Sequence, residues 1–160
     1  LGVGTYSGSF REVSPYRNKF TFNADLGYGR WLDQTNGAYV RLSNLTAQRR
    51  GEHNQSIHSL QAGYMLNVKS AITGESTEND VFQLTTLLGV SMNVATRSGH
   101  GPTYAPGLQA AVQAGVRVAP QVEIYLEPSV AAFGKTIERS HNSYPVEAMG
   151  KLSLGTKISF

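Results

Sequence analysis

No cysteine occurs in the 160 residues. Thiol chemistry and cysteine-metal sets are therefore absent, which suits a bacterial envelope protein and equally many cytosolic ones. Charge is scarce: 16% of residues are charged, against about 25% in soluble domains. No apolar run approaches the roughly 18 residues that a transmembrane helix needs. That excludes a helical span but not a membrane barrel, whose strands need only about 9–11 residues each. The net charge of +3 is too small to argue for a nucleic-acid partner. There is no glycine-rich phosphate loop, and His53, His58 and His100 lack metal-ligand spacing. No cofactor is expected. No helical periodicity stands out, and nothing repeats beyond a hairpin rhythm. The chain begins at Leu1 rather than Met and reads as processed or trimmed. Its length suits one domain, spanning 1–160.

What is present is alternation with a period of two, the mark of strands with one apolar and one polar face. A glycine-rich first strand is expected over 1–10. The second, over 19–32, sets Phe20, Phe22, Ala24, Leu26 and Tyr28 against Thr21, Asn23, Asp25, Gly27 and Gly29. Asn36-Gly37 is the strongest hairpin signal and is expected to form the next turn, at 33–37. Further strands are expected at 38–44, 57–68, 81–95, 108–118 and 122–135. Loops are expected at 11–18, 45–56, 96–106 and 136–144, with a short turn at 119–121 and a connection at 70–80 that is longer than an inner turn usually is. The last strand sets Leu152, Leu154, Thr156, Ile158 and Phe160 against Glu147, Met149, Lys151, Ser153, Gly155, Lys157 and Ser159. Several strands run to 12–16 residues, against a mode of about 5–6. Eight consecutive strands paired up and down close a barrel and remove its edges.

Two features place the polar face inside. It is rich in glycine, which suits a narrow lumen. Its charges also balance: Asp25, Glu123, Glu127 and Glu147 against Arg41, Arg117, Lys151 and Lys157. The expected fold is an all-β, eight-stranded antiparallel up-and-down transmembrane β-barrel with a charge network in its lumen. The opposite arrangement would be a soluble ligand barrel with its apolar face inward.

The terminal residues Ser153, Gly155, Ile158 and Phe160 resemble the C-terminal assembly signal of bacterial outer-membrane barrels. With the strand rhythm, the Pro120 turn and the segment Tyr125-Leu126-Glu127-Pro128, they make the whole chain similar to a small outer-membrane barrel of the OmpX or OmpA-barrel type. The resemblance implies residence in the bacterial outer membrane. It also implies insertion by the barrel-assembly machinery, and contact with outer-membrane lipid, lipopolysaccharide and other outer-membrane proteins. The periplasmic peptidoglycan-binding domain of the OmpA type has no counterpart in these residues.

A rim of cations falls in or beside the expected outer loops: Arg11, Arg17, Lys19, Arg49, Arg50, Arg97, Lys135 and Arg139. Guanidinium binds phosphate by paired charge-assisted hydrogen bonds, so these are candidates for lipopolysaccharide contact. Tyr28, Tyr64, Phe82 and Phe160 suit interfacial girdles. His141-Asn142-Ser143 is similar to the His-x-Ser of outer-membrane lipid A deacylases, with His as base, Ser as nucleophile and Glu138 or Glu147 to orient the imidazole. It falls in a loop beside Pro145, whereas in the deacylases it lies on a strand's outer surface. The expected role is non-enzymatic: envelope stability, lipopolysaccharide contact, or a subunit of a larger outer-membrane complex. The alternatives are a lipid-modifying hydrolase using His141 and Ser143, and a small low-conductance channel.

Overall fold

The structure, a computed structural model, describes residues 2–6, 21–47, 55–76, 80–97, 100–134 and 146–159. Side chains are described over 24–45, 56–76, 80–96, 101–134 and 149–159. The elements in chain order are β1 (Gly2–Tyr6), β2 (Thr21–Trp31), β3 (Asn36–Ala47), β4 (Gln55–Asn67), α1 (Val68–Thr73), β5 (Phe82–Arg97), β6 (His100–Ala119), β7 (Val122–Gly134) and β8 (Val146–Ile158). Each strand runs antiparallel to the next, and the free edge of β1 pairs with β8. The sheet is thereby curled into a ring, and the all-β antiparallel expectation holds.

Three local expectations are corrected. The loop expected at 96–106 is largely strand: β5 continues to Arg97 and β6 begins at His100. Pro102 and Pro106 give the stretch its loop-like composition. They lie in the stretch 100–106, which pairs with β5 before the β7 register begins at Gly107. Proline is tolerated where one edge makes no ladder. Second, a helix interrupts the connection expected to be irregular. Asn67 caps α1 by accepting from the Ser70 N–H at 3.1 Å, and Gly74 closes it at φ 71°. With six residues it is too short for a 3.6-residue period to show.

Third, Asn36-Gly37 is not the corner of its hairpin. Both residues belong to β3, and among the described glycines only Gly74 has positive φ. The Asp33 carboxylate builds the turn instead. Its Oδ1 accepts from the N–H groups of Thr35 and Asn36, both at 2.7 Å, and both its oxygens accept from Asn36 Nδ2. Gly37 is required for space: a Cβ there would meet Met65 Cε at 2.7 Å and Arg30 O at 2.8 Å.

The faces fall as the alternation predicts. Leu26, Leu42, Leu60, Val90, Leu108, Val130 and Leu154 point outward and are half to three-quarters exposed. Tyr28, Tyr64 and Phe82 also lie on the outer wall. The buried set is mostly polar and lies inside the ring: Arg41, Gln61, Asn93, Gln113, Glu123, Glu127 and Ser153. The outer wall is thus oily and the interior is wet chemistry, the inverse of a soluble domain.

Candidate functional site

The interior is stacked in layers. At the end where 48–54, 98–99 and 135–145 connect the strands, Leu45, Ile57, Ala95, Ala105, Ala131 and Phe133 pack into an apolar collar, with Met149 against it. Below it lies a polar belt. Asn93, fully buried, accepts from Ser59 Oγ and donates to Ser91 Oγ at 2.9 Å and to the Ala105 carbonyl at 3.0 Å. Asp25 accepts from Ser43 Oγ and from Lys151 Nζ, the latter at 2.6 Å.

Deeper still, Arg41 and Glu127 form a bidentate pair at 2.5 and 2.8 Å, and Gln113 donates to Glu127 Oε2 at 2.6 Å. Glu127 has 0% exposure and Arg41 6%, so both charges have left water. Such a pair persists only because its lone pairs and N–H groups are matched. The Arg41 guanidinium also lies 5.7 Å from the Tyr39 ring centroid. Tyr39, Met65, Leu87 and Ala111 form a second apolar layer. Near the opposite mouth, Lys157 pairs with Glu123 at 2.8 Å. With the Gln83 amide oriented by its neighbours, it donates to Glu123 Oε2 at 3.0 Å and accepts from Arg117 Nη2 at 2.7 Å.

The structure therefore brings seven of the eight expected lumen charges to the inner face: Asp25, Arg41, Arg117, Glu123, Glu127, Lys151 and Lys157. The Glu147 side chain lies outside the described residues. Among these charges Glu127 meets Arg41, 86 residues away in sequence. Sequence alone could place both groups on inner faces, but not choose between partners on different strands.

The glycines of the polar face open space for large neighbours. A Cβ on Gly155 would overlap the Tyr125 ring, one on Gly115 the Glu123 carboxylate, and one on Gly89 the Tyr39 hydroxyl. Tyr125 faces Gly155 directly, Tyr39 reaches Gly89 across Gly63, which is paired with both, and Glu123 lies two residues from Tyr125, the register partner of Gly115. Of the terminal signal, Ser153 is buried inward, Gly155 admits Tyr125, and Ile158 faces outward at 61% exposure. Phe160 lies outside the described residues.

So do the side chains of all eight cations singled out for lipopolysaccharide contact (Arg11, Arg17, Lys19, Arg49, Arg50, Arg97, Lys135 and Arg139), as do His141 and Ser143. Arg97 alone has its backbone placed, at the end of β5 opposite His100. Among the described residues no three His, Cys, Asp or Glu side chains gather where a metal could bind.

A sheet curled in this order also describes a solved structure. The crystal structure of Neisserial surface protein A matches 99% of this chain and 92% of its own, with a TM-score of 0.73. The fold is that of the Neisserial surface protein A barrel. The two sequences are 15% identical, so the likeness to Neisserial surface protein A is one of architecture. No protein-family model matches the sequence. The search of curated proteins gives no match either. The collar and the second apolar layer carry one signal in the sequence: Leu87, Met65, Ala131 and Phe133 stand as apolar residues on otherwise polar faces.

Proposed function

We propose that the chain is a non-enzymatic, integral outer-membrane barrel of eight strands whose role is structural or interactive. It would stabilise the bacterial envelope, contact lipopolysaccharide, or serve as a subunit of a larger outer-membrane complex. The observation that carries the reading is the inverted distribution of polarity. A wall of exposed Leu, Val, Ile, Phe and Tyr surrounds buried Arg41, Glu127 and Asn93. Only an apolar medium makes such a wall stable, and only a closed ring satisfies every strand within it. The likeness to a surface protein of Neisseria supports the same reading.

In this reading the odd-numbered connections face outward from the cell, and their arginines and lysines meet lipid phosphates. The barrel-assembly machinery would act on the terminal strand. A channel role is disfavoured by the collar and the ion pairs, which stack across the lumen. The test is the migration of detergent-folded protein, boiled against unboiled, with circular dichroism as control. A heat-dependent shift with β-rich spectra is expected. A protein that stays soluble and folded without detergent would overturn the reading.

A further inference from the structure

Between the collar and the Arg41–Glu127 pair lies a small cavity of about 20 Å³. Its polar lining includes Asp25, Ser43, Ser59, Gln61, Gln109, Ser129 and Lys151, and the underside of the collar forms its roof. Gln61 is 95% buried by its 5% exposure, and among the described residues its Oε1 has no hydrogen-bond partner. Its Nε2 donates only a long bond, at 3.5 Å, to Ser43 Oγ. A buried carbonyl oxygen left in this state is costly, and native interiors rarely keep one.

We infer that this cavity is a binding site for a single water molecule, held by donation to Gln61 Oε1. The size decides the ligand. A water needs about 10–15 Å³ of such space and two to four polar partners. The cavity meets both conditions. A monovalent cation would also be drawn to oxygens, but the Lys151 ammonium stands in the same lining and repels it. That ammonium already neutralises Asp25, the carboxylate that would attract a cation. The water thus joins the hydroxyls of the belt to an amide that the protein itself leaves unmatched.

The lining is buried: Gln61 is 5% exposed, and Ser59 and Ser129 are each 7% exposed. Leu45, Ile57 and Phe133 lie towards one mouth, and the buried guanidinium–carboxylate pair lies towards the other. Its water exchanges only when the interior opens, so it is resident rather than in transit.

The experiment uses the whole barrel folded in detergent, in its wild-type form and as Gln61→Leu. A high-resolution crystal structure of the wild type is expected to show one ordered water within hydrogen-bond distance of Gln61 Oε1. Magnetic relaxation dispersion of water oxygen-17 is expected to count one fewer long-lived water in Gln61→Leu. Ser129→Ala, which leaves the Gln61 oxygen in place, keeps that water. A dry cavity with the Gln61 amide turned onto a protein partner would overturn the inference. So would rubidium scattering at the site after exchange of the buffer cation, or a water count unchanged between wild type and Gln61→Leu.

Discussion

Glu127 is the most demanding residue of the interior. It is fully buried and serves two donors, Arg41 and Gln113. Removing one member of a buried pair leaves the other charge unmatched, which costs about 3–5 kcal/mol. Glu127→Ala is therefore expected to lower stability by that order in urea unfolding from lipid vesicles. The joint replacement of Arg41 and Glu127 by Met and Leu is expected to recover most of the loss. Equal losses in the single and double variants would show that the pair is not the unit of stability.

Asp33 offers a pH prediction outside the strands. Hydrogen bonds from Asn36 and Thr35 hold its carboxyl below the ordinary carboxylate range. Its folded-state value is thus lower than its unfolded one. The turn's stabilisation is fully present above about pH 4, the unfolded value, and is lost as pH falls through the depressed folded value. Asp33→Asn is expected to flatten that part of the stability profile while leaving neutral-pH folding intact. The Asp33 carboxyl carbon followed by NMR titration checks the direction. A midpoint at or above the ordinary value would contradict it.

Among the elements, β1 is the weak member of the ring. It spans five residues and shares three register pairs with β2 and five with β8. The strands on either side are joined over it by side chains. Lys151 and Ser153 of β8 both reach Asp25 of β2, at 2.6 and 3.4 Å. The register sets Gly4 opposite Lys151 and Gly2 opposite Ser153. The positions of β1 between the two partners are thus the ones without side chains, and the ion pair passes over them. Closure of the ring therefore depends on Asp25 as well as on backbone pairing. Asp25→Asn is expected to speed amide hydrogen exchange in β1 and β8 selectively. Uniform acceleration around the barrel would mean that no such staple exists.

The glycine and aromatic partners belong to the same scale. Gly155 lies across from Tyr125, whose ring occupies the space a Cβ would take. Gly155→Val is expected to reduce folding yield, and the joint change with Tyr125→Ala is expected to restore part of it. The terminal motif thus has a packing reason for its glycine, beyond any reading by assembly factors.

For the molecule as a whole, the outer wall sets the solvent. Val90, near the middle of β5 and 61% exposed, stands for that wall. Val90→Arg is expected to cost about 2–4 kcal/mol in a bilayer, the range for a basic residue at mid-depth on a lipid-facing strand. The same change in a water-facing wall would cost little, so the measurement separates the membrane barrel from a soluble one. In planar bilayers the wild-type protein is expected to show no stable conductance, because collar and ion pairs close the lumen.

Much of this was legible in the chain. Alternation with a period of two stated which side chains share a face, and a face is a local property of a strand. The inward set of charges followed from it, as did the outward Leu and Val. Local turn chemistry was less legible. Asn36-Gly37 carries the stronger statistical signal, yet Asp33 offers the turn more hydrogen bonds, and the Asn67 N–H donates to the Thr35 carbonyl within it. Nor did local pattern place residues 100–106, because strand there depends on pairing with β5 rather than on what the stretch prefers by itself.

The sequence by itself determined most of the strands, their two faces and the side that seven of the eight lumen charges occupy. Those follow from the pleat and from the cost of placing apolar groups in water. Only the tertiary structure decided which acid meets which base, how the apolar residues of the inner face gather into a collar, and where an amide is left unmatched. Arg41 and Glu127 lie 86 residues apart, and Asp25 and Lys151 lie 126 apart. Their distances are set by strand number, register and tilt around the ring, which no single strand carries in its own pattern.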